Sequence, residues 1–322
     1  MNVIQQLKKA AIDGYQITRE DALSLNRTPL VELCTAANEL REHFCGNAFD
    51  VCTIINGKSG SCSENCKYCA QSTHYCTKIQ EYPLLDKESI LKEAIYNERK
   101  GVRRYSIVTS GRSLSAAEMD VICETYRTLR DKCRISLCAS HGLLSFEQLR
   151  QLKAAGVARY HNNLETSRRY FPHICTTHTY DDKLATIKNA LAAGLEVCSG
   201  GIMGLGETRE DRIDMALDLR VLGIKSIPVN VLNPIKGTPL ETIPKLAVNE
   251  ITRIVAIYRF ILPTAAIRLA GGRGLFADKG KAAFQSGANA AISGDMLTTA
   301  GISISDDMAT FKALGFEAKS HE

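Results

Sequence analysis

From residue 49 onward the chain repeats one unit, a short run rich in β-formers followed by an amphipathic helical stretch. The β-rich runs fall near residues 49–56, 102–109, 134–138, 158–163, 195–203, 226–231, 266–270 and 289–293. The stretches Lys87–Lys100, Ala116–Asp131, Phe146–Ala155, Asp181–Ala193, Arg209–Leu222, Asn249–Leu262 and Lys279–Ser286 between them read as helices. Such alternation implies parallel strands joined by right-handed crossovers. Gly101, Gly156, Gly194 and Gly223 stand where a helix must end before the next strand. Eight units predict an α/β fold, a (β/α)8 TIM-type barrel, with a doubly wound open sheet as the alternative. Residues 1–45 read as an N-terminal helical segment packed on the barrel, with a capping box at Thr18-Arg-Glu-Asp21. Residues 46–322 read as the barrel plus a short polar C-terminal tail, anchored by Phe311 and Phe316.

In a barrel of this kind chemistry belongs at the C-terminal ends of the strands. The loop after the first strand carries Cys62, Cys66 and Cys69 in a C-x3-C-x2-C pattern, with Tyr68 just before the last cysteine. Three thiolates on one loop can converge on one inorganic core. A structural zinc ion takes four protein ligands, which would recruit Cys76. A cubane iron–sulfur cluster is commonly held by four thiolates, so three leave one iron open to an exogenous ligand. The spacing, with Tyr68, resembles the radical S-adenosylmethionine (SAM) superfamily, in which that iron chelates the amino and carboxylate groups of SAM.

Twelve cysteines in 322 residues without an export signal point to metal or redox chemistry in a reducing cytoplasm rather than to a disulfide framework. A net charge of +5 with both signs interspersed argues against nucleic acid, and no apolar run is long enough to span a membrane. Cys52, Cys138 and Cys198 lie inside different β-rich runs, and Arg268 lies in another. Any one of these cysteines reads as a buried small hydrophobe. Three of them beside a cluster loop, with a strand arginine that needs an anionic partner, raise a second metal centre as an equal reading. Cys45 and Cys76 flank the first strand and loop as further candidate ligands, whereas Cys34, Cys123, Cys133 and Cys175 read as structural.

The ordered set of motifs is more specific than the loop. Cys62–Ser72, Tyr160–Ser167, Cys198–Thr208, Pro228–Leu240, Arg268–Arg273 and Gly287–Thr299 together resemble the biotin synthase family, from about residue 30 to 316. The resemblance implies a (β/α)8 barrel, a 4Fe–4S cluster that cleaves SAM, and an auxiliary iron–sulfur cluster that donates sulfur to dethiobiotin. Arg268 joins the three loop cysteines among the catalytic residues it implies. In the better-known form of the family the auxiliary cluster is 2Fe–2S, held by three cysteines and an arginine. Cys138, Cys198 and Arg268 match three of those ligands, and the remaining cysteine position falls on Ser106. Serine is a poor ligand for soft metals, and Cys52 occupies a position where that form has a serine close to the arginine. The expected auxiliary ligands are therefore Cys52, Cys138 and Cys198, with Arg268 beside or on the cluster, which is 2Fe–2S or larger. Cys45 is a weaker candidate.

The resemblance also implies that Glu165 holds the SAM ribose, that Tyr68 and Ile202 contact adenine, and that Asn163 and Asn230 bind the ureido ring of dethiobiotin. His161 is a further candidate for that ring. Gly200, Gly201, Gly204 and Gly206 are expected to let the backbone approach SAM. A flavodoxin or ferredoxin would supply electrons, iron–sulfur assembly machinery would rebuild the consumed cluster, and the family expectation is a homodimer. The competing readings are another radical SAM barrel, of hydrogenase-maturation or methylornithine-synthase type, and a zinc-stabilised binding module.

Overall fold

A computed structural model describes residues 2–319; Met1 and the last three residues of the expected tail, 320–322, lie outside the described residues. Three helices come first, α1 (Val3–Ile12), α2 (Arg19–Leu25) and α3 (Leu30–Cys45). Thr18 and Asp21 form the expected capping box at the start of α2. The alternation that follows resolves into eight parallel staves. These are β1 (Ala48–Lys58), β2 (Arg104–Thr109), β3 (Ser136–Ser140), β4 (Arg159–His161), a fifth split into β5 (Glu196–Cys198) and β6 (Gly201–Met203), β7 (Ser226–Val231), β8 (Ala266–Leu269) and β9 (Ala290–Ile292). β9 returns to β1 through Asp50↔Ala290, Val51↔Ala291 and Cys52↔Ile292, so the sheet closes and the open-sheet alternative falls.

The outer layer comprises α4 (Lys87–Arg99), α5 (Ala116–Lys132), α6 (Phe146–Ala154), the single turn α7 (Phe171–Ile174), α8 (Tyr180–Ala192), α9 (Arg209–Val221), α10 (Val248–Ile261) and the short α11 (Lys281–Phe284). Capping boxes start α5, α6, α8 and α9. All four predicted stop glycines take positive φ. At the break in the fifth stave the backbone passes too close to its neighbours for a side chain. A Cβ there would stand 2.0 Å from the Pro228 carbonyl oxygen, and one at Gly201 2.4 Å from that of Glu165.

The C-terminal segment departs from the expected polar tail. It forms α12 (Ile304–Ala313) and a two-residue strand, β10 (Glu317–Ala318), which pairs with the start of β1. Its anchors are those expected: Phe311 stacks on Phe49 with ring centroids 4.0 Å apart, and Phe316 lies 4.9 Å from the same ring. No helix among the described residues is long and apolar enough to cross a membrane.

Candidate active site

Inside the staves a cavity of about 360 Å³ opens toward the C-terminal ends of the strands. Side chains alternate across a strand, so every second residue lines it: Cys52 and Ile54 on β1, Arg104 and Ser106 on β2, Arg159 and His161 on β4. Cys138, Cys198 and Arg268 line the same space, which brings together four residues that the sequence scatters over more than 200 positions.

The floor of the cavity is charged. Asp50, fully buried, sits among three buried arginines. Its Oδ2 accepts from Arg104 Nε at 3.1 Å, and it lies 3.0 Å from Arg268 Nη2 and 3.6 Å from Arg159 Nη1. Burial opposes ionisation of Asp50, but the guanidiniums of Arg268, Arg104 and Arg159 outweigh it and hold the carboxyl below its usual range. Arg268 Nη1 donates to the carbonyls of Asp50 and Ala291, each at 3.0 Å. Its Nη2 is close to Asp50 but off the hydrogen-bonding axis, so a buried donor is left without an acceptor. Glu196, half-exposed, pairs with Arg159 at 2.7 Å. Three cations thus meet one buried carboxylate and one that faces water, and the floor carries excess positive charge beside three thiols.

That field acts unevenly on the thiols. Burial would raise Cys198, but a hydrogen bond with His161 and the charges of His161, Arg268 and Arg159 bring it down to about 6. Ser226 Oγ also donates to its sulfur at 3.2 Å. Burial dominates at Cys52 and Cys138 and pushes both up. A thiolate-held anionic cluster fits this floor: three thiols converge, the surplus charge is cationic, and Arg268 retains an unused donor. Ser106 lines the cavity between Ile54 and Cys138 in the sheet register. Cys45 does not line it. Its sulfur lies 3.8 Å from the Pro263 carbonyl and 3.4 Å from Arg259 Nη1, at the foot of β1. Cys76 is exposed and also lies off the cavity.

The loop after β1 is fixed by its own backbone. Cys62 N–H donates to Gln71 O at 3.0 Å, Thr73 N–H to Cys62 O at 2.8 Å, and Cys69 N–H to Cys66 O at 2.9 Å. Tyr68 and Cys69 line the cavity. Burial pushes the Cys69 thiol up to about 11. Ligand atoms on a single tetrahedral zinc stand about 3.8 Å apart, given Zn–S bonds of ~2.3 Å. Cys62, Cys66 and Cys69 do not all come within 4.8 Å of one another. The three loop thiols are therefore not gathered at the spacing of a single zinc ion.

Glu165 takes a left-handed φ of +70° just beyond β4. Its backbone is held at both ends, N–H to Gly200 O at 3.1 Å and carbonyl to Ile202 N–H at 2.9 Å. Asn163 Nδ2 donates to Glu165 Oε2 at 3.3 Å, and Asn163 Oδ1 accepts from Gly200 N–H at 3.1 Å. Asn230 bridges Gly201 O at 3.1 Å and Gly271 N–H at 2.9 Å. Both amides therefore spend part of their capacity on the barrel rim, and each keeps one N–H and one lone pair. Gly200 and Gly201 admit neighbouring strands as closely as the sequence reading expected them to admit a ligand.

Sequence reasoning passed over Asp50, Arg104 and Arg159. Their signal was present: Arg104 and Arg159 each stand two residues before a cavity-lining position, in the strand alternation. It also passed over Cys175 as structural, although its sulfur is 3.8 Å from that of Cys66.

The sequence pattern of the Radical SAM superfamily matches residues 58–219, and that of the Biotin and Thiamin Synthesis associated domain matches 228–317. The biotin synthase of Akkermansia muciniphila is 60% identical over 319 residues, covering 99% of both chains. That of Clostridium botulinum strain Hall is 59% identical over 317 residues, 98% of this chain and 100% of the relative. The chain belongs to the biotin synthase family. Among solved structures, methylornithine synthase superposes with a TM-score of 0.86 at 19% identity, covering 98% of each chain. The hydrogenase maturase HydG gives 0.84 at 19% identity, covering 98% of this chain and 74% of that one. These two likenesses establish a shared barrel, while full-length identity near 60% places the chain with the biotin synthases rather than with either of them.

Proposed function

We propose that the chain inserts sulfur into dethiobiotin to give biotin, using one cluster to activate SAM and a second to supply sulfur. The observation that carries the two-cluster reading is the cavity floor, where three thiols face a surplus of buried guanidinium charge. Cys62, Cys66 and Cys69 would hold the 4Fe–4S cluster. Cys52, Cys138, Cys198 and Arg268 would hold the auxiliary cluster, 2Fe–2S or larger. When bound, these groups and SAM supply a 5′-deoxyadenosyl radical and a sulfur atom.

The protein's own part is to bind, orient and exclude water. Glu165 offers a carboxylate oxygen to the ribose hydroxyls, positioned by its fixed backbone and by Asn163. Tyr68 and Ile202, both lining the cavity, flank the adenine. The spare amide capacity of Asn163 and Asn230 matches a ureido ring, which needs donors and an acceptor. His161 lowers Cys198 into the thiolate range, which favours its role as a ligand. The arginines stabilise the thiolates without themselves being able to deprotonate. The reaction runs in the cytoplasm of a homodimeric enzyme, with electrons from a flavodoxin or ferredoxin and with the auxiliary cluster restored by iron–sulfur assembly machinery.

Anaerobic incubation with dethiobiotin, SAM and a reductant is expected to yield biotin and 5′-deoxyadenosine by mass spectrometry; deoxyadenosine without biotin would return the protein to the wider superfamily. Glu165→Gln is expected to weaken SAM binding roughly 10-fold, the value of one charge-assisted hydrogen bond. Equilibrium binding of SAM measures this, and an unchanged affinity removes Glu165 from the ribose.

A further inference from the structure

The segment after α7 is laced to the cysteine loop. Lys67 N–H donates to Ile174 O at 2.9 Å, and Asn65 Oδ1 accepts from Thr176 N–H at 2.9 Å and Thr177 N–H at 3.3 Å. This lacing sets Cys175 and His178, both buried, against Cys66. The ligand atoms of Cys66, Cys175 and His178 all lie within 4.8 Å of one another, which no other trio of histidine, cysteine or carboxylate groups achieves among the described residues.

The trio supplies three donors of the kind a one-ion site uses. The two sulfurs are 3.8 Å apart, and two thiolates on a tetrahedral zinc at ~2.3 Å subtend an edge of about 3.8 Å. Cys175 Sγ lies 3.3 Å from His178 Nδ1 and 3.8 Å from Nε2, so ligation through Nε2 requires the imidazole to turn toward the sulfurs. His178 Nδ1 is hydrogen-bonded to Glu64 Oε2, which leaves Nε2 for a metal. A carboxylate behind a histidine fixes the tautomer and raises the basicity of the ligating nitrogen. Glu64 is itself held by Thr177 Oγ1 at 2.8 Å and lies 3.4 Å from Arg112. Glu64, Thr177 and Arg112 thus form an outer shell behind the histidine.

We propose that the cluster-free protein binds one thiophilic divalent cation of the zinc class through Cys66, Cys175 and His178, and that this ion withholds Cys66 from cubane assembly. Cys66 is common to both sets, and one thiolate cannot complete both centres. Zinc is then an antagonist of cluster loading at a site separate from Cys62 and Cys69. Cys76 is not part of this trio.

Titration of anaerobic, cluster-free protein with cobalt(II) reads the site through thiolate charge-transfer absorption and the visible bands of a tetrahedral ion. One equivalent is expected to bind. Cys175→Ser and His178→Gln should each weaken it by at least ~10-fold, while Cys62→Ser and Cys69→Ser leave it unchanged. Loss of the signal in Cys62→Ser, or its persistence in Cys175→Ser, overturns the proposal. A second measurement needs no variant: one equivalent of zinc should protect Cys66 and Cys175, but not Cys62 or Cys69, from alkylation mapped by mass spectrometry. Equal protection of all four, or of none, also overturns it. Neither assay depends on biotin formation, so failure here leaves the proposed reaction standing.

Discussion

Asp50→Ala is expected to destabilise the cluster-free protein by about 3–5 kcal/mol, the cost of removing one partner from a buried ionic group. Asp50 is the buried carboxylate facing Arg104, Arg159 and Arg268. Without it three buried guanidiniums repel one another with no facing carboxylate but the half-exposed Glu196. Urea unfolding of the cluster-free protein at neutral pH measures the change. Asp50→Asn keeps the volume and removes only the charge, and its deficit should depend on pH. The carboxyl is held low in the folded protein, so its contribution is present above an unfolded value of about 4. It is lost as the pH falls through the depressed folded value. Wild type and Asp50→Asn should therefore converge in acid. Loading the auxiliary cluster should recover part of the deficit, because thiolates bring replacement negative charge. An unchanged unfolding midpoint in both variants would show that the floor does not need its carboxylate.

The second large effect is a split between two products. Cys69→Ala is expected to bring both biotin and 5′-deoxyadenosine to background, a loss of at least ~10³-fold for a reaction class with accelerations above 10⁶. Cys69 lines the cavity within a loop held by its own hydrogen bonds, and under the proposed ligand set its loss would leave two thiolates, too few to retain a site-differentiated cubane. Cys52→Ala should remove biotin to the same degree while deoxyadenosine formation, together with the iron and sulfide of the first cluster, persists. The difference arises because Cys52 stands on β1, on the floor, whereas Cys69 stands in the loop above it. Product analysis with iron and sulfide quantitation decides it. Unchanged total iron and sulfide in Cys52→Ala would remove Cys52 as a ligand.

Much of the barrel was legible because its signals are local. Eight β-rich runs, seven helical stretches and four stop glycines each depend on a few neighbouring residues, and the observed elements fall within a few positions of them. The two anchors of the tail were legible, but not their partner: Phe311 and Phe316 pack around Phe49, a contact spanning more than 260 residues, and β10 pairs with β1 there. The need for glycine at 200 and 201 was equally hidden, since it is the approach of the Pro228 and Glu165 carbonyls that excludes a side chain there.

The sequence by itself determined the alternating architecture, the three-cysteine loop and membership of a family whose motifs it carries in order, because each is written in contiguous residues. Only the tertiary structure decided the rest: that the sheet closes through β9 on β1, that Asp50 faces three arginines, that Cys45 lies off the cavity, and that Cys175 and His178 meet Cys66. Charge and ligation act through space over a few ångströms, and in a closed barrel residues from eight strands share those few ångströms regardless of their separation along the chain.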